Sequence, residues 1–327
     1  MLFPGRLTVT PLMDMEKEKI LIIKHGALGD FVLSVGTMCH IREMHPEASL
    51  SLMTMSPFVA MARQMNMFDE YIIDNRPSAW NLPYMFKVLA KIARGKFSHI
   101  YDLQASSRTR YRYYPLLRWM MPRSFVWVNY RKGVEYKIEK KCPVGIGAQH
   151  RNGIHAPFKI SDLTFLKGEG KHFDALPERY VLLIPGCSPN HPYKRWPIEN
   201  FQELVCRLAD RGIHSVVIGT DIEAEEVNAI AGASPMAVNM LNKTSLLDVP
   251  QLAMRAIACV GNDTGPSHMA SLSGCFAIAL YDNRTKQGAL RGANSVNLIS
   301  PDLITKITVD QVWETLLPKL DEGLQEA

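Results

Sequence analysis

Three short loops in this chain hold residues whose types and spacing could do chemistry. The first is Gly26-Ala27-Leu28-Gly29-Asp30. Its glycines let a ligand approach the backbone closely, and Asp30 sets a carboxylate beside them. A hydroxyl that attacks carbon must shed its proton, and an aspartate at the mouth of a cleft can take it as general base. The same spacing equally suits an aspartate that caps the following helix. The second loop is Ile184-Pro185-Gly186-Cys187-Ser188-Pro189-Asn190, leading to Tyr193-Lys194-Arg195-Trp196-Pro197. A glycine turn followed by two cations can hold a departing diphosphate, whose developing charge a lysine or arginine stabilises. The plain alternative is a turn with surface cations. The third loop is Gly261-Asn262-Asp263-Thr264-Gly265-Pro266-Ser267-His268. Backbone N–H groups at a helix start bind anions, so Thr264 and Gly265 could seat a diphosphate while Asp263 faces ligand hydroxyls. His268, on the first helical turn, either supports the phosphates or packs in the core.

The elements that must position these loops alternate between strand and helix in both halves, the pattern of parallel α/β sheets. In the first half, strands are predicted over 19–24, 48–54, 70–73 and 98–103, with helices over 30–44 and 82–94. In the second half, strands are predicted over 180–184, 213–218, 257–260 and 275–280. Helices there end at Arg211-Gly212 or cover 223–231 and 245–256. Each chemical loop follows a strand, and ligands of open α/β sheets bind outside the carboxyl ends of the strands. The first loop is no dinucleotide fingerprint. It has only G-x-x-G, and Met53-Thr54-Met55-Ser56 stands where a ribose-binding acid is needed. The stretch 142–176 has scattered Gly, Pro, His and Lys without periodicity, and the interdomain connection is placed towards its end.

A chain of 327 residues exceeds what one hydrophobic core usually spans, which makes two domains the expectation. No apolar run approaches the roughly 20 residues that cross a bilayer. Residues 1–15 lack a continuous signal-peptide core and a cleavage site, so residues 1–18 are expected to be a flexible extension. The six cysteines form no close pair and the ten histidines show no metal-ligand spacing. Neither a disulfide framework nor a metal site is suggested, and the reducing cytosol is the expected compartment. The net charge of +5 is localised: between Arg108 and Lys141 ten Lys/Arg stand against two acids, leaving 27 basic and 30 acidic residues in the rest. Eight aromatic residues, from Tyr111 to Tyr136, interleave these cations.

In the order G-x-L-G-D, K-R-W-P and N-D-T-G-P-S-H, the chain resembles glycosyltransferase family 9, the ADP-heptose:lipopolysaccharide heptosyltransferases. Asp102-Leu103-Gln104 and Leu241-Asn242-Lys243-Thr244-Ser245-Leu246 are similar to two further stretches of that family. The resemblance runs from about Lys19 to Asp282. It implies the α/β GT-B fold, two Rossmann-like domains with parallel sheets facing a central cleft. An acceptor domain is expected over 19–175 and a nucleotide-sugar domain over 176–305, with a final helix in 306–327 packing back towards the first domain. The implied activity is transfer of heptose from ADP-heptose to a lipopolysaccharide inner-core acceptor, with inversion and with no metal or further cofactor. Carried over by motif, Asp30 is expected to be the catalytic base, and Lys194 to bind the diphosphate and help it leave. Asp263 is expected on the donor sugar, with Thr264, Gly265 and His268 around the phosphates. Ser188 matches a hydroxyl of the phosphate-binding loop and Glu223 an acid that contacts the ribose. Gly29 and Thr220 complete the expected donor set. Gln104, Arg108, Arg110 and Arg112 are expected on the acceptor side.

The basic segment suits such an acceptor, which carries phosphates and carboxylates and sits in an anionic leaflet. Peripheral placement on the cytoplasmic face of the inner membrane is therefore expected, and a monomer is expected as well. Met85, Phe86 and Leu89 beside Lys87 and Lys91 can form an interfacial helix or pack in the core. Basic and aromatic residues also suit single-stranded nucleic acid. However, no recognition motif for it is present, and the K-R-W-P and D-T-G loops would then have no purpose. Departures from the family pattern over Gln104–Arg131 and Cys187–Arg195 leave open another nucleotide sugar and another glycan acceptor.

Overall fold

The computed structural model describes residues 17–78, 81–121, 125–128, 161–166, 173–285 and 289–322. The expected extension up to residue 16 and the basic segment from 129 to 141 lie outside the described residues. The first half is built from β1 (Lys19–Ile23), α1 (Leu28–Leu33), α2 (Val35–Met44), β2 (Ser49–Thr54), α3 (Ser56–Gln64), β3 (Glu70–Ile73), α4 (Leu82–Gly95) and β4 (His99–Asp102). A π-helical turn (Thr109–Tyr113), α5 (Tyr114–Met120) and β5 (Val126–Val128) follow. All five strands are parallel, in the order β3-β2-β1-β4-β5.

The second half runs β6 (Tyr180–Ile184), α6 (Ile198–Asp210), β7 (His214–Gly219), α7 (Ala224–Ala231), β8 (Ala237–Leu241), α8 (Val249–Arg255), β9 (Ala258–Asn262), α9 (Gly265–Leu272), β10 (Ala277–Asp282), β11 (Ser295–Ser300) and α10 (Val309–Glu322). Its six parallel strands lie in the order β11-β10-β9-β6-β7-β8. Both sheets therefore reverse direction once, between β1 and β4 and between β6 and β9. Such switch points open a crevice at the carboxyl ends of the strands. The loops after β1, β6 and β9 are the three chemical loops of the sequence.

The central strands are apolar on both faces because both faces are covered: β6 is buried throughout and β1 is buried after Lys19. Three clusters make up the core. Met85, Leu89 and Ile92 of α4 pack with Leu117 of α5 under the first sheet. Phe201 and Leu204 of α6 and Val312, Leu316 and Leu320 of α10 pack under the second. The third cluster crosses between the halves, from Phe31 and Phe58 through Leu163 and Leu166 to Met269. Ser161 and Leu163 tie the connection to both sides, through Gly36 N–H to Ser161 Oγ at 2.9 Å and Leu163 N–H to Leu272 C=O at 3.0 Å.

One expectation needs correction. The helix predicted over 30–44 begins at Leu28 and breaks at Ser34, whose hydroxyl donates back to Phe31 C=O at 2.7 Å and competes with the helical ladder. Among the described residues, the final helix packs within the second domain. Val312, Leu316 and Leu320 of α10 are wholly buried in the second domain's own core, and its ends are pinned there by Arg207–Asp310 at 2.7 Å and Arg211–Asp321 at 2.6 Å. Each buried side chain of this kind contributes about 1.5–3 kcal/mol, so the apolar stripe is fully used where it lies. No helix among the described residues is long and apolar enough to cross a membrane.

Candidate active site

The first loop leaves β1 at the first switch point. Gly26 has φ +144°, and a Cβ there would lie 2.7 Å from the Phe58 ring, so the chain can pass only as glycine. Ala27 is the N-cap of α1, without a side-chain cap bond. Asp30 is thus not the cap that its spacing allowed. It stands inside the first turn, exposed to solvent, where the helix dipole favours a carboxylate. Beneath the loop, the Gln104 side-chain oxygen accepts from His25 N–H at 3.0 Å and Gly26 N–H at 3.3 Å. His25 Nε2 lies 2.9 Å from Asp74 Oδ2, to which the Tyr113 hydroxyl donates at 2.8 Å. Arg76 N–H donates to the other Asp74 oxygen at 2.9 Å. Burial pushes the Asp74 carboxyl up, but these donors outweigh it and bring it down to about 2. Burial holds His25 below its ordinary range against the pull of Asp74. The floor of the loop is therefore a connected polar network, in which His25 Nδ1 is left without a hydrogen-bond partner.

On the second side, Lys194 closes a short 3₁₀ turn (Pro192–Lys194), and its ammonium lies 2.5 Å from Asp263 Oδ2. This pair bridges the loops after β6 and β9 across the second switch point. His268 Nε2 stands 3.7 Å from the other Asp263 oxygen, an electrostatic approach rather than a hydrogen bond. Burial pushes the Asp263 carboxyl up, but His268 and Lys194 more than reverse this and hold it below the usual carboxylate range. The first N–H groups of α9 have no intrahelical partner, and the N-cap Thr264 makes no side-chain cap bond to them.

Asn262 holds this geometry together, a role that its residue type alone does not reveal. Its wholly buried amide accepts from Trp196 N–H at 3.0 Å and donates to Pro185 C=O at 2.6 Å. The Trp196 indole N–H is fixed in turn on Ile307 C=O at 2.8 Å. Asn262→Leu would strand a buried donor and a buried acceptor, at about 1–3 kcal/mol each. Thermal denaturation should show a loss of about 2–6 kcal/mol as the Lys194 loop loosens.

Beside the Lys194–Asp263 pair lies a cavity of about 250 Å³. Ser188, Thr220, Glu223 and Thr264 line it, as do Ile218, Leu246 and Val249. The lining mixes apolar side chains with hydroxyls and one carboxylate, as small-molecule sites do. Glu223 accepts from Thr220 N–H at 3.0 Å and Thr220 Oγ1 at 2.7 Å, so these two expected donor residues also cap the turn before α7. Thr244, Ser245 and Leu246 join the lining. Their family-like stretch was visible in the sequence, but their place in a cavity was not.

The two sides meet where α1 packs on α9. A Cβ on Gly265 would lie 2.5 Å from Leu28, and one on Gly29 would lie 3.2 Å from the His268 ring. Glycine on each side thus permits this close approach, and Asp30, next in the chain, is held within one turn of it. Gly29, His268, Asp263 and Lys194 form a single constellation. Gln104, Arg108, Arg110 and Arg112 follow β4 in the chain. Gln104 is engaged under the first loop, Arg108 donates to Pro77 C=O, and Arg110 lies 5.9 Å over the Tyr111 ring. Arg112 is half-buried on the same π turn. Of the aromatics in this segment, Tyr113, Phe125 and Trp127 are core residues. Arg284 was not anticipated. It pairs with Asp282 and lies 4.4 Å over the Tyr193 ring, next to the Lys194 turn. Among the described residues no group of three or more His, Cys, Asp or Glu gathers as a metal would require.

Residues 153–304 match the model of glycosyltransferase family 9 (heptosyltransferase). The chain is 28% identical over 167 residues to a lipooligosaccharide heptosyltransferase 2 of Haemophilus influenzae, a match covering 49% of this chain. That alignment spans 45% of the relative, about half its length. The fold is similar to that of the E. coli heptosyltransferase WaaC with ADP, at a TM-score of 0.73 and 17% identity over 92% of this chain and 99% of that one. It is also similar to E. coli ADP-heptose lps heptosyltransferase II, with 0.71 and 20% over 94% and 100% of the two chains. A glycosyl transferase family 9 structure from Veillonella parvula gives 0.74 and 18% over 95% and 99%. The resemblance read from the loops is borne out: residues 153–304, which carry the second and third of them, match the model of that family, and the described residues have the two-domain α/β fold of the heptosyltransferase structures.

Proposed function

We propose that the protein is an inverting glycosyltransferase that moves heptose from ADP-heptose to a hydroxyl of a lipopolysaccharide inner-core acceptor, at the cytoplasmic face of the inner membrane. The observation that carries this reading is the Lys194–Asp263 bridge at the second switch point, with the α9 N-terminus behind it and the Asp30 turn of α1 packed against it. Asp30 takes the proton of the acceptor hydroxyl, whose oxygen forms a bond to the anomeric carbon from the face opposite the diphosphate. The bond from that carbon to the diphosphate oxygen breaks, and its electron pair leaves with ADP. Lys194 and the first N–H groups of α9 stabilise the charge that develops there. Asp263 accepts from donor-sugar hydroxyls, while Ser188, Thr220 and Glu223 enclose the nucleoside. Arg110 and Arg112 offer cations to acidic groups of the acceptor.

Calorimetric titration with ADP, UDP, GDP and a NAD control tests the donor half of this reading. Selective binding of ADP supports it. A preference for UDP or GDP keeps the transferase and removes ADP-heptose as its donor, and no binding of any nucleotide sinks the reading.

A further inference from the structure

The α4–α5 face of the first domain is a second surface with chemistry of its own. Both helices bury their inner residues in the same cluster, Met85, Leu89 and Ile92 from α4 and Leu117 from α5, so their outer sides share one face of the molecule. That outer side is not polar. Trp119 is 77% exposed and Tyr111 65%, with Leu82 and Phe86 close to half exposed and Met120 beside Trp119. Lys87 follows Phe86, and Arg112 and Arg118 flank Tyr111 and Trp119. From Asn75 to Val128 there are ten Lys/Arg and one acid, Asp102, which is wholly buried. Lys91 turns to a groove shared with Asp69 and Glu70 and stands apart from the face.

We infer that this face docks on an anionic lipid bilayer. Exposed aromatics at headgroup level, backed by lysine and arginine, are the combination that settles a helix surface at a charged membrane interface. Leu82 and Met120 favour a bilayer over single-stranded nucleic acid, because base stacking uses aromatic rings and has no use for exposed aliphatic chains. The inference rests on the proposed acceptor for its purpose, since a lipid-linked acceptor lies in such a leaflet. Its test does not depend on sugar transfer.

Co-sedimentation of the full chain with phosphatidylglycerol–phosphatidylcholine vesicles, against pure phosphatidylcholine, is the direct experiment. Partitioning onto the anionic vesicles should be at least about tenfold stronger and should fall as salt rises. The double variant Phe86→Ser/Trp119→Ser should lower it by about tenfold or more, since two interfacial aromatics are lost. Lys87→Glu should lower it several-fold. Both variants change exposed side chains outside the core, so melting temperature and nucleotide affinity should stay as in the parent. Equal binding to both vesicle types, or undiminished binding by the double variant, would overturn the inference. So would an oligonucleotide that binds this face in preference to the vesicles. ADP binding without vesicle binding would overturn the docking face alone and leave the proposed reaction standing.

Discussion

Asp30→Ala is expected to lower turnover by about 10²–10⁴-fold, the usual contribution of a positioned general base, with ADP affinity changed by no more than about twofold. The split follows from where Asp30 stands. It belongs to the first domain, in the exposed first turn of α1, and it neither caps the helix nor lines the cavity beside Lys194. Its removal takes away the proposed proton acceptor and leaves the Lys194–Asp263 pair and the α9 terminus intact. Single-turnover rates measured beside calorimetric ADP affinities would separate the two effects. Near-normal turnover in Asp30→Ala would mean that another group accepts the proton. The loop itself should survive the change, because Gln104 and the Phe58 packing hold it from beneath.

Lys194→Ala should move both quantities, which distinguishes it from Asp30→Ala. One charge-assisted contact to a diphosphate contributes about 1.5–3 kcal/mol, so the ADP dissociation constant should rise roughly 10–100-fold. Loss of the cation proposed to face the leaving group should lower turnover by a further 10²–10³-fold or so. The substitution also leaves Asp263 largely buried, with the His268 ring nitrogen at 3.7 Å beside it. Its carboxyl should then rise from its lowered position, and the remaining activity should decline at a higher pH on the acid side than in the parent. Lys194→Arg keeps the charge and should recover part of the affinity but less of the rate, because a planar guanidinium fills the same place differently from a compact ammonium. An alanine variant with unchanged ADP affinity would remove Lys194 from the diphosphate site.

Much of the fold could be read from the chain because its central strands are covered on both faces. Runs such as KILII and YVLLI are apolar without interruption, and they pair in the middle of their sheets. The strands that pattern reading did not reach, β5, β8 and β11, all lie at sheet edges. There one side is open, half-exposed residues such as Asn239 and Asn297 break the apolar run, and the signal fades. The chemical loops were legible for a related reason. Glycine, proline and charge concentrate where a strand must turn into a helix near a ligand, so Gly26–Asp30, Lys194 and Asp263 stood out by type and spacing. What stayed hidden depends on distance through space. Nothing in the sequence places the Gln104 oxygen under Gly26, joins His25, Asp74 and Tyr113, or makes Asn262 a clasp between Pro185 and Trp196. The destination of the final helix was hidden as well. An apolar stripe at helical spacing says that a face is buried, not which domain buries it.

Sugar transfer itself is most directly tested by incubating the protein with ADP-heptose and Kdo-lipid A in phosphatidylglycerol-containing vesicles. ADP release and the mass of the glycolipid are then followed together, and the new linkage is assigned by NMR. The predicted result is one ADP released for each heptose gained, with the anomeric configuration inverted relative to the donor and the gain slowed by about 10²–10⁴-fold in Asp30→Ala. A glycolipid that stays unmodified at saturating donor, or a product that retains the donor's configuration, would contradict a single in-line displacement at this site.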